Sequence, residues 1–179
     1  NNGLLLQDRS FLEYLRQQAD KYNVLLIFDE VISGFRVGFE GAAGYYGIQP
    51  DILTFGKIIG GGMPVGAYGA SAKLMGHIAP DGPVYQAGTL SGNPVAMAAG
   101  YAALKQLLEP GFYEMLNAKT AGFVQTLQDY ADAKGYPVSF PSVGSIFWVA
   151  FARERIISAE QIDPTSMNHF KIMHLELLK

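Results

Sequence analysis

The chain has 179 residues, 49% hydrophobic and 16% charged, with a formal net charge of −3 and a pI near 5.6. That length holds one full core or parts of two domains, and the acidic balance gives no reason to expect a nucleic acid partner. Without cysteine there are no disulfides or thiol chemistry; the three histidines (His77, His169, His174) are too scattered for a metal site, and no run reaches the roughly eighteen apolar residues of a membrane span.

Ser10-Phe11-Leu12-Glu13 reads as a capping box that starts a helix running to about Tyr22, with Phe11, Leu12, Leu15 and Ala19 on one face. Residues 24–28 follow as a wholly apolar strand, the pattern of a parallel sheet covered on both faces. Ile52–Phe55 and Ala67–Ala70 read as further strands, and helix followed by buried strand with short links predicts an α/β architecture. Asn93-Pro94 opens another helix with proline at its first position; small residues through Gly100 predict that it packs closely. Glu109-Pro110-Gly111 breaks the chain. An amphipathic helix is expected from Phe112 to about Lys134, and residues 137–140 and 145–151 suggest a small sheet with Trp148 in the core. From Met167 onward, Phe170, Met173, His174, Leu177 and Leu178 fall at helical spacing up to the last residue, with no stop signal. A stripe that ends uncapped predicts a piece of a longer protein. A domain boundary is expected near 106–111, dividing the chain into 1–108 and 109–179.

Asp29 ends the apolar run at the carboxyl end of its strand, where open α/β sheets place ligands. A carboxylate about 4 Å from a cationic ring nitrogen gains roughly 4 kcal/mol at an effective dielectric of about 20, or about three pKa units. That keeps a pyridine nitrogen protonated at neutral pH, so that the ring acts as an electron sink. A strand-end acid also serves as a helix cap or surface ion pair. Lys57 follows the next strand and precedes the uncharged word Ile58-Ile59-Gly60-Gly61-Gly62-Met63-Pro64-Val65-Gly66. Its amine must lose a proton to attack an aldehyde, and burial among Phe55, Ile58 and Ile59 is expected to assist by desolvation. The plainer alternative is a lysine whose stem lies on apolar residues with its head in water. Together the two residues suggest a pyridoxal phosphate site, with Lys57 forming the Schiff base and Asp29 meeting the pyridinium nitrogen.

The glycines at 60–66 fit neither G-x-x-x-x-G-K-[ST] nor G-x-G-x-x-G, and a close-packed turn behind Lys57 is expected there. Gly88-Thr89-Leu90-Ser91-Gly92-Asn93-Pro94 is the better phosphate candidate, with hydroxyls, glycine amides and a helix N-terminus; a well-capped loop is its alternative. Arg36 and Glu40 lie in an aromatic and glycine-rich stretch over 35–47 that suits a site entrance or a surface loop. His77 has no acid neighbour in sequence.

The words Phe28-Asp29-Glu30-Val31-Ile32-Ser33-Gly34-Phe35-Arg36, Pro50-Asp51-Ile52-Leu53-Thr54-Phe55-Gly56-Lys57 and Tyr85-Gln86-Ala87-Gly88-Thr89-Leu90-Ser91-Gly92-Asn93-Pro94 resemble class III, fold-type-I aminotransferases. Within that class they are most similar to the glutamate-1-semialdehyde 2,1-aminomutases. The likeness covers nearly the whole chain, more weakly after about residue 111. It implies an α/β, fold-type-I transferase dependent on pyridoxal phosphate (PLP). Residues 1–108 are then the C-terminal half of the large cofactor-binding domain with its mixed sheet, and 109–179 part of the small C-terminal α/β domain.

The same resemblance implies that Asp29 faces the pyridine nitrogen, that Val31 packs on the ring, and that Lys57 holds the cofactor and shuttles protons. It implies that Gly88 and Thr89 bind the cofactor phosphate of the partner subunit in a homodimer. Ser33 stands where threonine is common. The implied reaction is an isomerisation: an amino group moves between adjacent carbons of glutamate-1-semialdehyde to give 5-aminolevulinate for tetrapyrrole (porphyrin) synthesis, with PLP and pyridoxamine phosphate as the two cofactor forms. The alternatives are a class III aminotransferase with a separate amino donor and a non-catalytic small-molecule-binding α/β domain. An upstream phosphate loop, a ring-stacking aromatic and a gating segment are expected before Asn1, and the end of the small domain after Lys179. The 179 residues alone are therefore expected to be inactive. The expected location is the cytoplasm, or a plastid in a plant or alga, with no membrane or nucleic acid partner.

Overall fold

The computed structural model describes residues 3–179, which fall into two units: Asp8–Met115, and Leu116–Lys179 together with the segment ending at Gln7. The first unit opens with α1 (Arg9–Tyr22), with Asp8 at the N-cap position but making no side-chain capping bond. The expected capping box at Ser10 is not formed, because the helix has already begun and Glu13 is taken by Arg9 Nε at 2.9 Å. Asn23 ends α1 in the left-handed region (φ 52°), and Val24 N–H donates back to the Ala19 carbonyl at 2.9 Å. This closing bond occupies Val24, so the strand starts later than the apolar run, as β1 (Ile27–Asp29).

β1 pairs in parallel with β2 (Ile52–Phe55), which pairs antiparallel with β3 (Ala67–Ala70), giving a mixed three-stranded sheet in the order β1-β2-β3. The expected two-sided burial of the first strand is not found: Val24, Leu25 and Ile27 are 58%, 50% and 55% exposed. β1 is an edge strand among the described residues, and α1 does not cover it fully. A polar clamp sets the start of both strands. Asp51 Oδ2 accepts from Leu26 N–H at 2.8 Å and from Arg16 Nη1 at 2.7 Å, while Arg16 Nη2 donates to Asp20 at 2.7 Å. Helix α1 is thereby tied to the entry of the parallel pair.

Between the strands lies the short helix α2 (Gly41–Tyr46). Past β2 the chain makes a 3₁₀ turn over Lys57–Gly60, and past β3 the helix α3 (Ala72–Met75). The long helix α4 (Pro94–Leu107) then packs on the 3₁₀ turn. Its small residues allow backbone contact: a Cβ on Gly100 would lie 2.3 Å from the Ile59 carbonyl, and one on Gly61 would lie 2.3 Å from the Ala99 carbonyl. The glycine-rich word is therefore a packing turn, as its sequence suggested.

Helix α5 (Phe112–Lys134) belongs to the second unit from Leu116 onward. The small sheet there is a hairpin of β4 (Ser142–Val143) and β5 (Ile146–Phe147), extended by a bridge between Ser139 and Ala150. It is shorter than its apolar pattern because Pro137 and Pro141 have no N–H to give the ladder. Gln128 on α5 accepts from Phe140 N–H at 3.3 Å and holds the hairpin to the helix. Trp148 lines an apolar cavity of about 310 Å³ with Phe151, Met167 and Phe170. The last helix, α6 (Ser166–Leu177), holds Phe170, Met173, His174 and Leu177 of the expected stripe and ends before Leu178, its C-cap; Phe170 stacks on His174.

Candidate active site

Asp29 stands opposite Thr54 in the parallel pair, and Glu30 N–H extends the ladder to the Thr54 carbonyl at 2.9 Å. Parallel strands end at the same edge of a sheet, so Asp29 and the Phe55-Gly56-Lys57 exit of β2 share one edge. Val31 lies beside that exit: a Cβ on the buried Gly56 would come within 3.1 Å of Val31 Cγ1. Asp29 and Val31 on one exit and Lys57 on the other therefore leave the parallel pair at the same end.

Asp29 is exposed, and its Oδ1 accepts from Val31 N–H at 3.0 Å in an Asx turn that fixes the strand exit. Lys57 begins the 3₁₀ turn with φ 47°, a left-handed conformation that non-glycine residues seldom adopt. Such a backbone costs on the order of 1 kcal/mol and persists where the surroundings impose it, most often at functional positions. Here the imposition comes from Ile59 N–H to Gly56 O at 3.2 Å and from the seat of the turn on α4. The expected burial of Lys57 among Phe55, Ile58 and Ile59 is not found. The turn is pressed onto α4 through Ile59 and Gly60, which leaves the lysine exposed.

Reading the sequence for site residues missed Glu30. It is 1% exposed, the largest fully buried side chain among the described residues. Its carboxylate accepts from Ser33 Oγ, from Ala42 N–H at 2.9 Å and from Ala43 N–H at 2.7 Å. Ser33 thus serves Glu30. The aromatic stretch after it is ordered by Phe35, which has φ 62° and packs against Phe39 and Phe55. The Phe35 carbonyl accepts from Tyr113 Oη at 3.1 Å, and burial raises that phenol above its ordinary pKa.

Gly88 and Thr89 lie exposed on the loop before α4. Gly88 lines a groove of about 810 Å³ with Ile59, Tyr68, Gln86, Ser91 and Tyr101, whose walls include none of Asp29, Val31 and Lys57. The helix end beside them is already capped, Asn93 Oδ1 accepting from Val95 N–H at 3.1 Å and Ala96 N–H at 3.2 Å. The expected anion-receptive helix terminus is therefore used internally, and the donors left to a phosphate are those of the loop.

A carboxylate and a primary amine on one sheet edge, with a branched apolar side chain beside them, suit a protonated aromatic ring that bears an aldehyde. The carboxylate matches the ring nitrogen, the amine the aldehyde and Val31 the ring face, so the donor set fits PLP.

The sequence pattern of the class-III aminotransferases matches residues 1–166. The fold is similar to that of an omega-transaminase from Sphaerobacter thermophilus, at 33% identity and a TM-score of 0.84 over 90% of this chain and 37% of that one. It is similar to a β-phenylalanine aminotransferase from Variovorax paradoxus, at 34% identity and a TM-score of 0.83 over 91% of this chain and 38% of that one. A glutamate-1-semialdehyde-aminomutase from Pseudomonas aeruginosa PAO1 shares the fold at 23% identity, with a TM-score of 0.78 over 90% of this chain and 38% of that one. The chain thus spans under two-fifths of the length of these structures.

Proposed function

The chain belongs to the class-III aminotransferase family, and from that premise we propose that it takes part in amino-group transfer, with Lys57 as the catalytic residue and Asp29 and Val31 as cofactor contacts. The cofactor is PLP, and amino transfer would carry it through its pyridoxamine phosphate form. When bound, it supplies an aldehyde that carries the amino group and a ring that accepts the electron pair left on the substrate carbon. The observation that carries this reading is the shared exit of β1 and β2, with Asp29 opposite Thr54 and Val31 against Gly56.

On this reading the Asp29 carboxylate holds the proton on the ring nitrogen. Val31 supports the ring face. Lys57 Nζ would hold the cofactor at its aldehyde and, as a free amine, would carry a proton between carbons of the substrate and the cofactor. Exposed apolar groups around the loop before α4 (Tyr85 at 84%, Leu90 at 62%, Val95 at 62%) support a homodimer in which Gly88 and Thr89 meet the partner's cofactor phosphate.

Within the family, the first reading is intramolecular transfer, converting glutamate-1-semialdehyde to 5-aminolevulinate for tetrapyrrole synthesis in the cytoplasm or a plastid. It rests on the words over 56–66 and 85–94, taken together and in order. The second reading, a transaminase with a separate donor, is favoured by the higher identity of the two transaminases. Assay of the native protein in its pyridoxamine form separates them. The first reading expects 5-aminolevulinate from glutamate-1-semialdehyde with no added amine; strict dependence on a second amino compound overturns it.

A further inference from the structure

Glu30 sits between two proposed cofactor contacts, yet the proposed chemistry does not use it. Burial of a carboxylate is costly unless every lone pair is served, and here both oxygens are served by Ser33, Ala42 and Ala43. None of these partners is a cation, so the seat is built from a hydroxyl and the first amides of α2. The main chain at this residue is fixed as well, with Glu30 N–H bound to Thr54 O at 2.9 Å and Gly34 N–H bound to Glu30 O at 2.8 Å.

Gly41 supplies an independent sign that the seat is shaped for this side chain. It has φ 62°, and a Cβ there would lie 2.5 Å from Glu30 Oε2. A glycine is needed both for the backbone turn and for the room. β1 ends at Asp29 and the chain turns at Val31, and the Asp29 Oδ1 bond to Val31 N–H closes that turn across Glu30. Anchoring Glu30 on both its side chain and its main chain therefore fixes the backbone that carries Asp29 and Val31.

We propose that Glu30 is a positioning residue: by pinning the exit of β1 to Ser33 and the start of α2, it fixes the Asp29 carboxylate and Val31 where they meet the cofactor ring. The inference rests on the reading of Asp29 as the partner of the ring nitrogen. Glu30 touches no reacting atom and acts through Asp29.

The test uses the native protein, Glu30→Gln, Asp29→Asn and the double variant, each stripped of cofactor and titrated with PLP. Glu30→Gln keeps the size of the side chain but turns an amide donor toward groups that are themselves donors. Because displacement of a site by about 1 Å can cost about a hundredfold, Glu30→Gln is expected to bind PLP about tenfold to a hundredfold more weakly. The pH at which its visible absorption band changes should shift in the same direction as in Asp29→Asn. The double variant should be little weaker than Asp29→Asn, since residues acting as one unit are non-additive. Ser33→Ala, a milder loss in the same seat, should show the same shift at smaller size and keeps the test alive if Glu30→Gln fails to fold. A wild-type band together with unchanged affinity and pH dependence in Glu30→Gln overturns the role of Glu30 alone, as do losses that add in full with Asp29→Asn. A wild-type protein that gives no band with PLP overturns the cofactor reading and the role of Glu30 with it.

Discussion

Asp29 lies opposite Thr54 across the parallel β1–β2 pair, and Lys57 follows Thr54 by three residues on the adjoining exit. The parallel register puts an acid and an amine from distant parts of the sequence on the same sheet edge. Had β1 and β2 run antiparallel, as β2 and β3 do, the two would leave at opposite ends.

Replacing Asp29 by asparagine keeps its size and its Asx turn but removes the charge. A carboxylate near a ring cation is worth roughly 4 kcal/mol, so Asp29→Asn in the native protein is expected to slow the amino-transfer half-reaction about a thousandfold. Single-turnover absorbance measurements check this; a loss under tenfold contradicts the assigned role.

The left-handed backbone of Lys57 predicts opposite effects on stability and function. Lys57→Gly relieves the φ of 47°, whereas Lys57→Ala keeps the strain. Glycine is expected to be the more stable variant by about 1 kcal/mol, measured by urea denaturation, and both variants should lose activity. Alanine equal to or above glycine in stability contradicts a strained site.

Much of this edge was legible in the sequence. The apolar runs ending at Asp29 and leading to Lys57 marked two strand exits, and Asn93-Pro94 marked the start of α4, which the structure places at Pro94. Glu30 was not legible. Two adjacent acids do not reveal which is buried, and its partners at 42 and 43 are main-chain amides with no side-chain signature; Gly41 and Ser33 were the available signals. The exposure of Lys57 was hidden for a related reason. Apolar neighbours in sequence suggested burial, but a 3₁₀ turn directs Ile59 and Gly60 to α4 and leaves the lysine outside.

The contact between the Lys57 turn and α4 makes Gly100 sensitive. Gly100→Ala places a Cβ 2.3 Å from the Ile59 carbonyl, and overpacking of this kind costs about 1–3 kcal/mol. Thermal denaturation should show that loss, and cofactor titration should show weaker binding as the turn shifts. Unchanged stability contradicts the observed contact.

The clamp at the other end of the sheet predicts acid sensitivity. Leu26 N–H, and after it the Arg16 guanidinium, hold the Asp51 carboxyl below its ordinary value near 3.8. A depressed carboxyl contributes stability above its unfolded pKa and loses it as pH falls through the folded one. Wild-type stability is therefore expected to drop below about pH 4, and Asp51→Asn should show a flatter curve there. Removing the acceptor with Asp51→Ala should cost about 1–3 kcal/mol at neutral pH. Urea denaturation over a pH series reads both.

The assignment of Lys57 as the cofactor's attachment point is tested most directly by fixing the bond in place. The native protein is loaded with PLP, reduced with borohydride, digested, and its peptides are read by mass spectrometry. The account predicts loss of the visible band and a pyridoxyl label on the peptide containing Lys57, absent from Lys57→Ala. A label confined to another lysine, or no label at all on a protein that binds the cofactor, contradicts it.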